Sequence, residues 1–305
     1  MGIIAFMKQL AIIGSTASGK SDLALTLAQN CNALILSIDS LSIYQEIDIA
    51  SAKPSKEELC LVEHFGINRL SPATNASVVT FIDEYGRASH QATEQGKNLI
   101  IVGGSSFYLK SMVEGLSPIP DFSSDTLQKA KEMLLDLSQT HEFLSRIDPV
   151  SMAKITPGDA YRIEKMLLIY LQTMLPPSTW FALNPPRPVI AECPVLDLKI
   201  ERDVLRQRIA LRTEKMIASG LIDEVAELER RYGRFPNSMK AIGIIETLGY
   251  LDGKISKEEL RELITIHTAQ LAKRQQTFNA NQFALASSGS SDELFTIASK
   301  ILQQP

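Results

Sequence analysis

The apolar run Gln9–Ile13 (QLAII), the loop Gly14–Ser21 (GSTASGKS) and the segment Asp22–Asn30 (DLALTLAQN) decide the fold. The first is short and apolar without alternation, and the last spaces its apolar residues as a helix does. The stretch therefore reads as strand, loop, helix. Gly14-x-x-x-x-Gly19-Lys20-Ser21 is a complete phosphate-binding P-loop in the context that motif requires. Glycine at each end lets backbone N–H groups turn toward phosphate oxygens, and the helix N-terminus adds a fixed positive potential. Lys20 supplies a mobile charge, and the Ser21 hydroxyl is suited to ligating Mg²⁺. A chance match would lack the strand before and the helix after. The expected ligand is a polyphosphate or pyrophosphate, its identity left open.

Outward from this motif, Ala33–Ile38 (ALILSI) is a second buried strand ending at Asp39-Ser40. A helical stretch over Val79–Glu94 precedes a third strand, Asn98–Val102 (NLIIV), which runs into Gly103-Gly104 and the helix SSFYLKSMVEG. Apolar strands without alternation, separated by helices, indicate a parallel sheet covered on both faces. From Ser117 the texture changes to the loop-rich SPIPDFSSD and the short helical segments DTLQKAKEMLLDLSQ, HEFLSRI and DAYRIEKMLLIYLQT. A strand signal returns only at Val195–Ile200, followed by helices over Arg202–Lys215, Leu221–Tyr232 and Ser256–Asn279. The expected architecture is α/β: a P-loop NTPase-like parallel sheet flanked by helices, residues 1–120 plus 195–305, carrying a helical insertion domain over 121–194. The final stretch, SSGSSDELFTIASKILQQP, reads as a linker and a short helix.

Composition narrows the classes. With 305 residues, 45% hydrophobic and 22% charged, the chain is ordinary globular protein. Cys31, Cys60 and Cys193 lie far apart with no C-x-x-C pair, which excludes a disulfide scaffold or zinc ribbon and suits a reducing compartment. A net charge of −4 excludes a uniformly basic nucleic-acid coat, though not a local basic groove. No stretch has the length of a membrane span. The apolar start lacks a basic region and leads straight into the P-loop, and Phe6 stands where a myristoylation signal at Gly2 wants Ser or Thr. A soluble, cytoplasmic protein is expected.

Asp39 falls at the C-terminal end of a strand, on the rim where open parallel sheets bind ligands. It suits an acceptor-side hydrogen bond or proton acceptance, and equally a helix N-cap before LSIYQE. NLIIVGG ends in glycines where a nucleotidase carries an acid, so group transfer is favoured over nucleotide hydrolysis. Arg202, Arg206, Arg208, Arg212 and Lys215 crowd one segment, and Lys273-Arg274 forms a second basic spot. Arg208 and Arg212, four apart, share a helix face and suit a pyrophosphate or phosphodiester. The competing reading pairs these arginines with Glu201, Asp203 and Glu214 on a solvated face. His64, His90, His141 and His267 show no metal spacing.

In order along the chain, GSTASGKS, SIDSLSIYQEIDIASAKPS, VEHFGI, VGGSSFYLKSMVEGL, DAYRIEKMLLIY, RIALRTEKMIASGLIDEV with KAIGIIE, and LAKRQQTF resemble the tRNA dimethylallyltransferase (isopentenyltransferase, IPP transferase) family. Asp39, Ser40, Tyr44, Asp48, Ile49, Lys53, Pro54, Asp159 and Arg162 stand at matching places, with Ser105 for a threonine. Leu41 and Ser42 replace an Arg-Gln pair, Met166 stands where the family has an arginine-containing segment, and Ala269 replaces an arginine. The resemblance implies transfer of a dimethylallyl group from dimethylallyl diphosphate to N6 of adenosine 37 in the tRNA anticodon stem-loop, with Mg²⁺ as cofactor and a monomeric enzyme. It assigns Asp39, Lys20 and Ser105 to catalysis. Gly14, Ser15, Thr16, Ala17, Ser18, Gly19, Lys20, Ser21, Arg208 and Arg212 would hold the diphosphate, with Ser21 on the metal. Asp39, Ser40, Tyr44, Lys53, Ser105, Arg162, Lys273 and Arg274 would meet the tRNA. The rivals are a small-molecule kinase with Arg146 or Arg162 in a lid, a transferase acting on free AMP, and a nucleotide-dependent RNA-binding protein without activity.

Overall fold

The computed structural model describes residues 7–303, so Gly2 and Phe6, on which the reading of the N-terminus turned, lie outside it. In chain order, β1 (Gln9–Gly14), α1 (Lys20–Asn30), β2 (Ala33–Ser37), α2 (Lys56–Leu61), β3 (His64–Phe65), α3 (Val78–Gln95), β4 (Asn98–Val102) and α4 (Ser106–Glu114) come first. Then follow α5 (Ser124–Met133), α6 (Leu137–Ile147), α7 (Pro149–Met152), α8 (Ala160–Thr173) and α9 (Pro177–Leu183). The chain continues with β5 (Val195–Leu198), α10 (Arg202–Ala218), α11 (Leu221–Tyr232), a 3₁₀ turn at Asn237–Lys240, α12 (Ile244–Leu251), α13 (Lys257–Gln282), β6 (Ser287–Gly289) and α14 (Ser291–Gln303).

The described residues of Met1–Val113 and Ile190–Pro305 make one compact unit, and Glu114–Val189 a second. In the first, six parallel strands run in the order β3-β2-β4-β1-β5-β6. The strands read as continuous apolar runs because both faces are buried. Leu10 and Ile12 of β1 share a core with Leu23 and Leu27 of α1 and Leu294, Ala298 and Leu302 of α14. Their neighbours Ala11 and Ile13 point the other way, into a core with Phe81, Tyr85 and Ala88 of α3 and Leu260 and Ile264 of α13. This is the period-two alternation of a strand with oil on each side. The chain leaves β1 for α1 on one face and β4 for α4 on the other, so the carboxyl ends of these adjacent strands form a topological switch point, where such sheets bind ligands.

The two edge strands depart from the sequence reading. Ser287–Gly289, read as linker, pairs with β5 (Leu196 beside Ser287, Leu198 beside Gly289) and closes that edge of the sheet. It carries no apolar side chain, so backbone hydrogen bonding alone makes it a strand. Two-residue β3 is likewise too short to show a period. Among the described residues no helix is long and apolar enough to cross a membrane.

The second unit is helical, built on Ala130, Leu144, Met152, Ile155, Ile163, Leu167 and Leu168. Ser123, Asp136, Asp148 and Asp159 cap the N-termini of α5, α6, α7 and α8 by accepting from backbone N–H groups. Met166 packs against this core, so an apolar contact occupies the place where the resembled family has a charge.

Candidate active site

β1, an inner strand, delivers Gly14 to the carboxyl end of the sheet, and the loop closes at Gly19, whose φ of +95° is left-handed. A Cβ on Gly19 would stand 3.1 Å from Nη1 of Arg208, so glycine here permits both the backbone turn and the guanidinium's approach. Arg208 donates from Nη1 to Ser18 O (2.9 Å), and Arg212 donates to Thr16 Oγ1 (3.4 Å) and Ser51 O (3.5 Å). One face of α10 thus lies over the loop, as the four-residue spacing requires. The competing solvated pairing holds for Arg206, which faces exposed Asp203 at 3.9 Å, but not for Arg208 and Arg212, and Glu214 faces Arg261 of α13 at 3.7 Å.

Lys20 opens α1 and is buried, with Nζ donating to Ser15 O at 3.1 Å. Burial pushes its pKa down to about 8; Asp39 works against that shift and Arg212 adds to it. Burial also lowers the Arg212 guanidinium, again opposed by Asp39. Ser15 Oγ and Ser18 Oγ are buried without a protein partner, while Ser21 is exposed on the first helical turn. A concave set of N–H groups, two unpartnered hydroxyls and three cations has the chemistry that suits a multiply charged oxyanion.

Asp39 follows β2 into a turn rather than a helix. Its Oδ1 accepts from Leu41 N (2.9 Å), Ser42 N (3.1 Å) and Ser42 Oγ (3.4 Å). Oδ2 has no hydrogen-bond partner among the described residues. Oδ1 thus caps a turn where the sequence suggested a helix N-cap, and Oδ2 is left facing the site without a partner. Asp39 lines a cleft of about 170 Å³ with Thr16, Lys20, Ser21, Ser51 and Arg212, and its apolar lining includes Leu25, Ile35, Ile67 and Val102. His64 lines it as well; its Nδ1 donates to Val62 O at 2.7 Å, and burial holds its pKa down. A wider cleft of about 710 Å³ beside it has Lys53, Lys56, Arg208, Arg212 and Lys215 along its wall.

The remaining sequence candidates separate. Ser40 is exposed beside Asp39, and Ser105 is half-buried just before α4. Tyr44 is buried, its hydroxyl accepting from Ala76 N at 3.0 Å. The ammonium of Lys53 is spent on Tyr44 O (2.5 Å), Asp48 Oδ1 (2.7 Å) and Asn68 Oδ1 (2.6 Å). Both face inward and brace the loop rather than solvent. Lys273 and Arg274 are exposed on α13. Arg162 belongs to the second unit, where it donates to Asp159 Oδ2 (2.5 Å) and Lys154 O (3.2 Å). Two groups escaped the sequence reading. Glu224 accepts from the N–H groups of Asp48 (2.9 Å), Ile49 (2.7 Å) and Ala50 (2.9 Å), and Gln275 accepts from Thr16 N (2.8 Å) and donates to Gly104 O (3.0 Å). Their only sequence signal was membership of the segments GLIDEV and LAKRQQTF.

Comparison with known proteins bears on this site. A sequence model of the family described as IPP transferase matches residues 42–282. A tRNA dimethylallyltransferase of Sulfurimonas denitrificans is 55% identical over 277 residues, covering 91% of this chain and 93% of that protein. One from Helicobacter pylori is 41% identical over 290 residues, covering 94% and 92%. The solved full-length tRNA isopentenylpyrophosphate transferase of Bacillus halodurans superposes with a TM-score of 0.70 at 29% identity, covering 97% of each chain. A eukaryotic dimethylallyltransferase acting on tRNA shares the fold at a TM-score of 0.82 and 24% identity, over 94% of this chain and 75% of that one.

Proposed function

The chain belongs to the IPP transferase family, and from that premise we infer that it transfers a dimethylallyl group to tRNA. The donor in this reading is dimethylallyl diphosphate, and the acceptor is N6 of adenosine 37 in the anticodon stem-loop. One observation carries it: a carboxylate with one oxygen tied down and the other available shares a cleft with the P-loop lysine and Arg212.

The donor's diphosphate lies in the loop of residues 14–21, whose Thr16 amide is already held by Gln275, with Lys20, Arg208 and Arg212 meeting its charge. Those cations matter most as the bond to carbon breaks, because negative charge then collects on the departing oxygens. The adenine leaves its stack to enter the cleft. The N6 lone pair forms a bond to C1 of the allyl group, the C1–O bond breaks, and diphosphate departs with the electron pair. The N6 proton passes to Oδ2 of Asp39. An exocyclic amine is a weak nucleophile, so a carboxylate that accepts its hydrogen bond both aims it and relieves the charge. Ser105 hydrogen-bonds the acceptor nucleotide, and Ser40, Lys273, Arg274 and Arg162 meet the RNA, chiefly through phosphates. Tyr44 and Lys53 act one step back, by bracing the Asp39–Pro54 segment.

A divalent cation fits this donor set. Among the described residues no three His, Cys, Asp or Glu side chains converge as a cage, while Ser21 offers an exposed hydroxyl in the cleft. That suits Mg²⁺, which keeps most of its water and binds through substrate phosphates. When bound, it would neutralise charge on the diphosphate. The three cysteines are free thiols, which suits work in the reducing cytoplasm, and we take the enzyme to act as a monomer.

The test is a transfer assay with Mg²⁺ and radiolabelled dimethylallyl diphosphate, offering unmodified tRNA, AMP and ATP separately. Label is expected in tRNA alone and is expected to vanish with Asp39→Ala while donor binding persists. Label in AMP, or ATP consumption with no label transferred, overturns the reading. Equal loss of transfer and donor binding in Asp39→Ala overturns the base assignment.

A further inference from the structure

Two loops hold the two reactants in the reading above, on which this inference rests. The P-loop leaves β1, the Gly103–Ser105 loop leaves β4, and these strands are neighbours in the sheet. No covalent element joins the loops across the cleft. Gln275 does so with one side chain: its Oε1 accepts from Thr16 N at 2.8 Å, and its Nε2 donates to Gly104 O at 3.0 Å. Both polar atoms of the amide are used, one on each loop.

The helix behind it is pinned. One turn further along α13, fully buried Asn279 donates to Asp197 Oδ1 of β5 at 3.4 Å. One turn or so before, Ala269 and Ala272 pack with Leu205 and Ile209 of α10 and with Ala17 of the P-loop. Small side chains there let α13 approach closely. The amide also accounts for Gly104: a Cβ at that residue would fall 2.5 Å from Gln275 Nε2 and 3.7 Å from Lys20 Nζ. Gln275 thus sits where a side chain at position 104 would stand, on the spot that looks onto the diphosphate lysine.

We propose that Gln275 is a positioning residue that sets the spacing between the donor loop and the acceptor loop. It contacts neither reactant. Each loop folds and binds its own ligand without the bridge, but the allylic carbon and N6 meet in attack geometry only when the bridge is closed. Misplacement by about 1 Å costs on the order of 100-fold in rate. A strut that serves stability alone would instead move the melting temperature and both affinities together.

The experiment takes Gln275→Met, which keeps length and removes both hydrogen bonds, and Gly104→Ala, which drives the amide from its seat. Single-turnover rate, the Kd for dimethylallyl diphosphate and the Kd for tRNA are measured for each and for the double variant. Expected are rates lowered on the order of 10- to 100-fold, each Kd within about threefold of wild type, and a double variant no slower than the slower single, since both break one contact. If Gln275→Met fails to fold, Gln275→Asn, which keeps a neutral amide but is too short to reach both loops, carries the same expectation. A folded variant with wild-type rate overturns the proposal, as do losses that multiply, or a rate loss matched by lost donor affinity. If the wild-type protein transfers nothing to tRNA, the functional reading fails instead.

Discussion

In the proposed mechanism Lys20 must be charged to meet the diphosphate, while the fold buries it. The compromise is a pKa near 8 in the donor-free protein, with burial as the chief cause. The unfolded chain keeps that proton until about 10.5, so between these values the unfolded state binds more protons and stability rises with pH. Ligand binding runs the other way. Above pH 8 the free site has lost the charge that diphosphate needs, so donor affinity is expected to fall by up to about tenfold per pH unit. Calorimetric titration with dimethylallyl diphosphate from pH 7 to 10 checks this, with Lys20→Arg expected to flatten the slope. An equal slope in Lys20→Arg would assign the titration elsewhere. The motif revealed that a lysine belonged here. Its depressed pKa was not legible, because desolvation depends on what α10 lays over the loop.

At the scale of elements, α11 does for the Asp39–Pro54 loop what α13 does for the P-loop. The Glu224 carboxylate, in the first turn of α11, takes three successive backbone N–H groups from Asp48 to Ala50. The loop it holds ends in Ser51, whose carbonyl accepts from Arg212, and in Lys53 with its three acceptors. Removing the carboxylate leaves those amides without their partner, which costs about 1–3 kcal/mol. Glu224→Ala is therefore expected to speed hydrogen exchange at residues 48–50 and to lower the melting temperature; unchanged exchange there would remove the clamp. Lys53 shows why an element can defeat a residue-level reading. A lysine in a polar loop suggests RNA phosphate, but its stem crosses the loop and its head is consumed inside it. Likewise Ser287–Gly289 is a strand solely because β5 offers an unpaired edge.

Across the whole chain, the last helix covers the first. Leu294, Ala298 and Leu302 of α14 pack with Leu23 and Leu27 of α1, the helix that begins at the P-loop lysine. Leu294 is fully buried, so Leu294→Ala is expected to cost about 2–5 kcal/mol in denaturant unfolding. The folded fraction should keep its transfer kinetics, since α14 contributes no group to the cleft. A loss below about 1 kcal/mol would mean that this face of the sheet is not held by α14.

The sequence alone determined the strand–P-loop–helix unit, the parallel α/β core, Asp39 on the carboxyl edge and the Arg208/Arg212 pair. Each is a local pattern: glycine spacing, an apolar run bounded by turns, or a four-residue helical step. Only the tertiary structure decided that one Asp39 oxygen is tied and the other available, that Tyr44 and Lys53 turn inward, and that Glu224 and Gln275 reach loops 171 to 259 residues away. Those contacts follow no local period. They arise because burying both faces of one sheet brings α10, α11 and α13 against its carboxyl edge, where distant side chains complete the loops' hydrogen bonds.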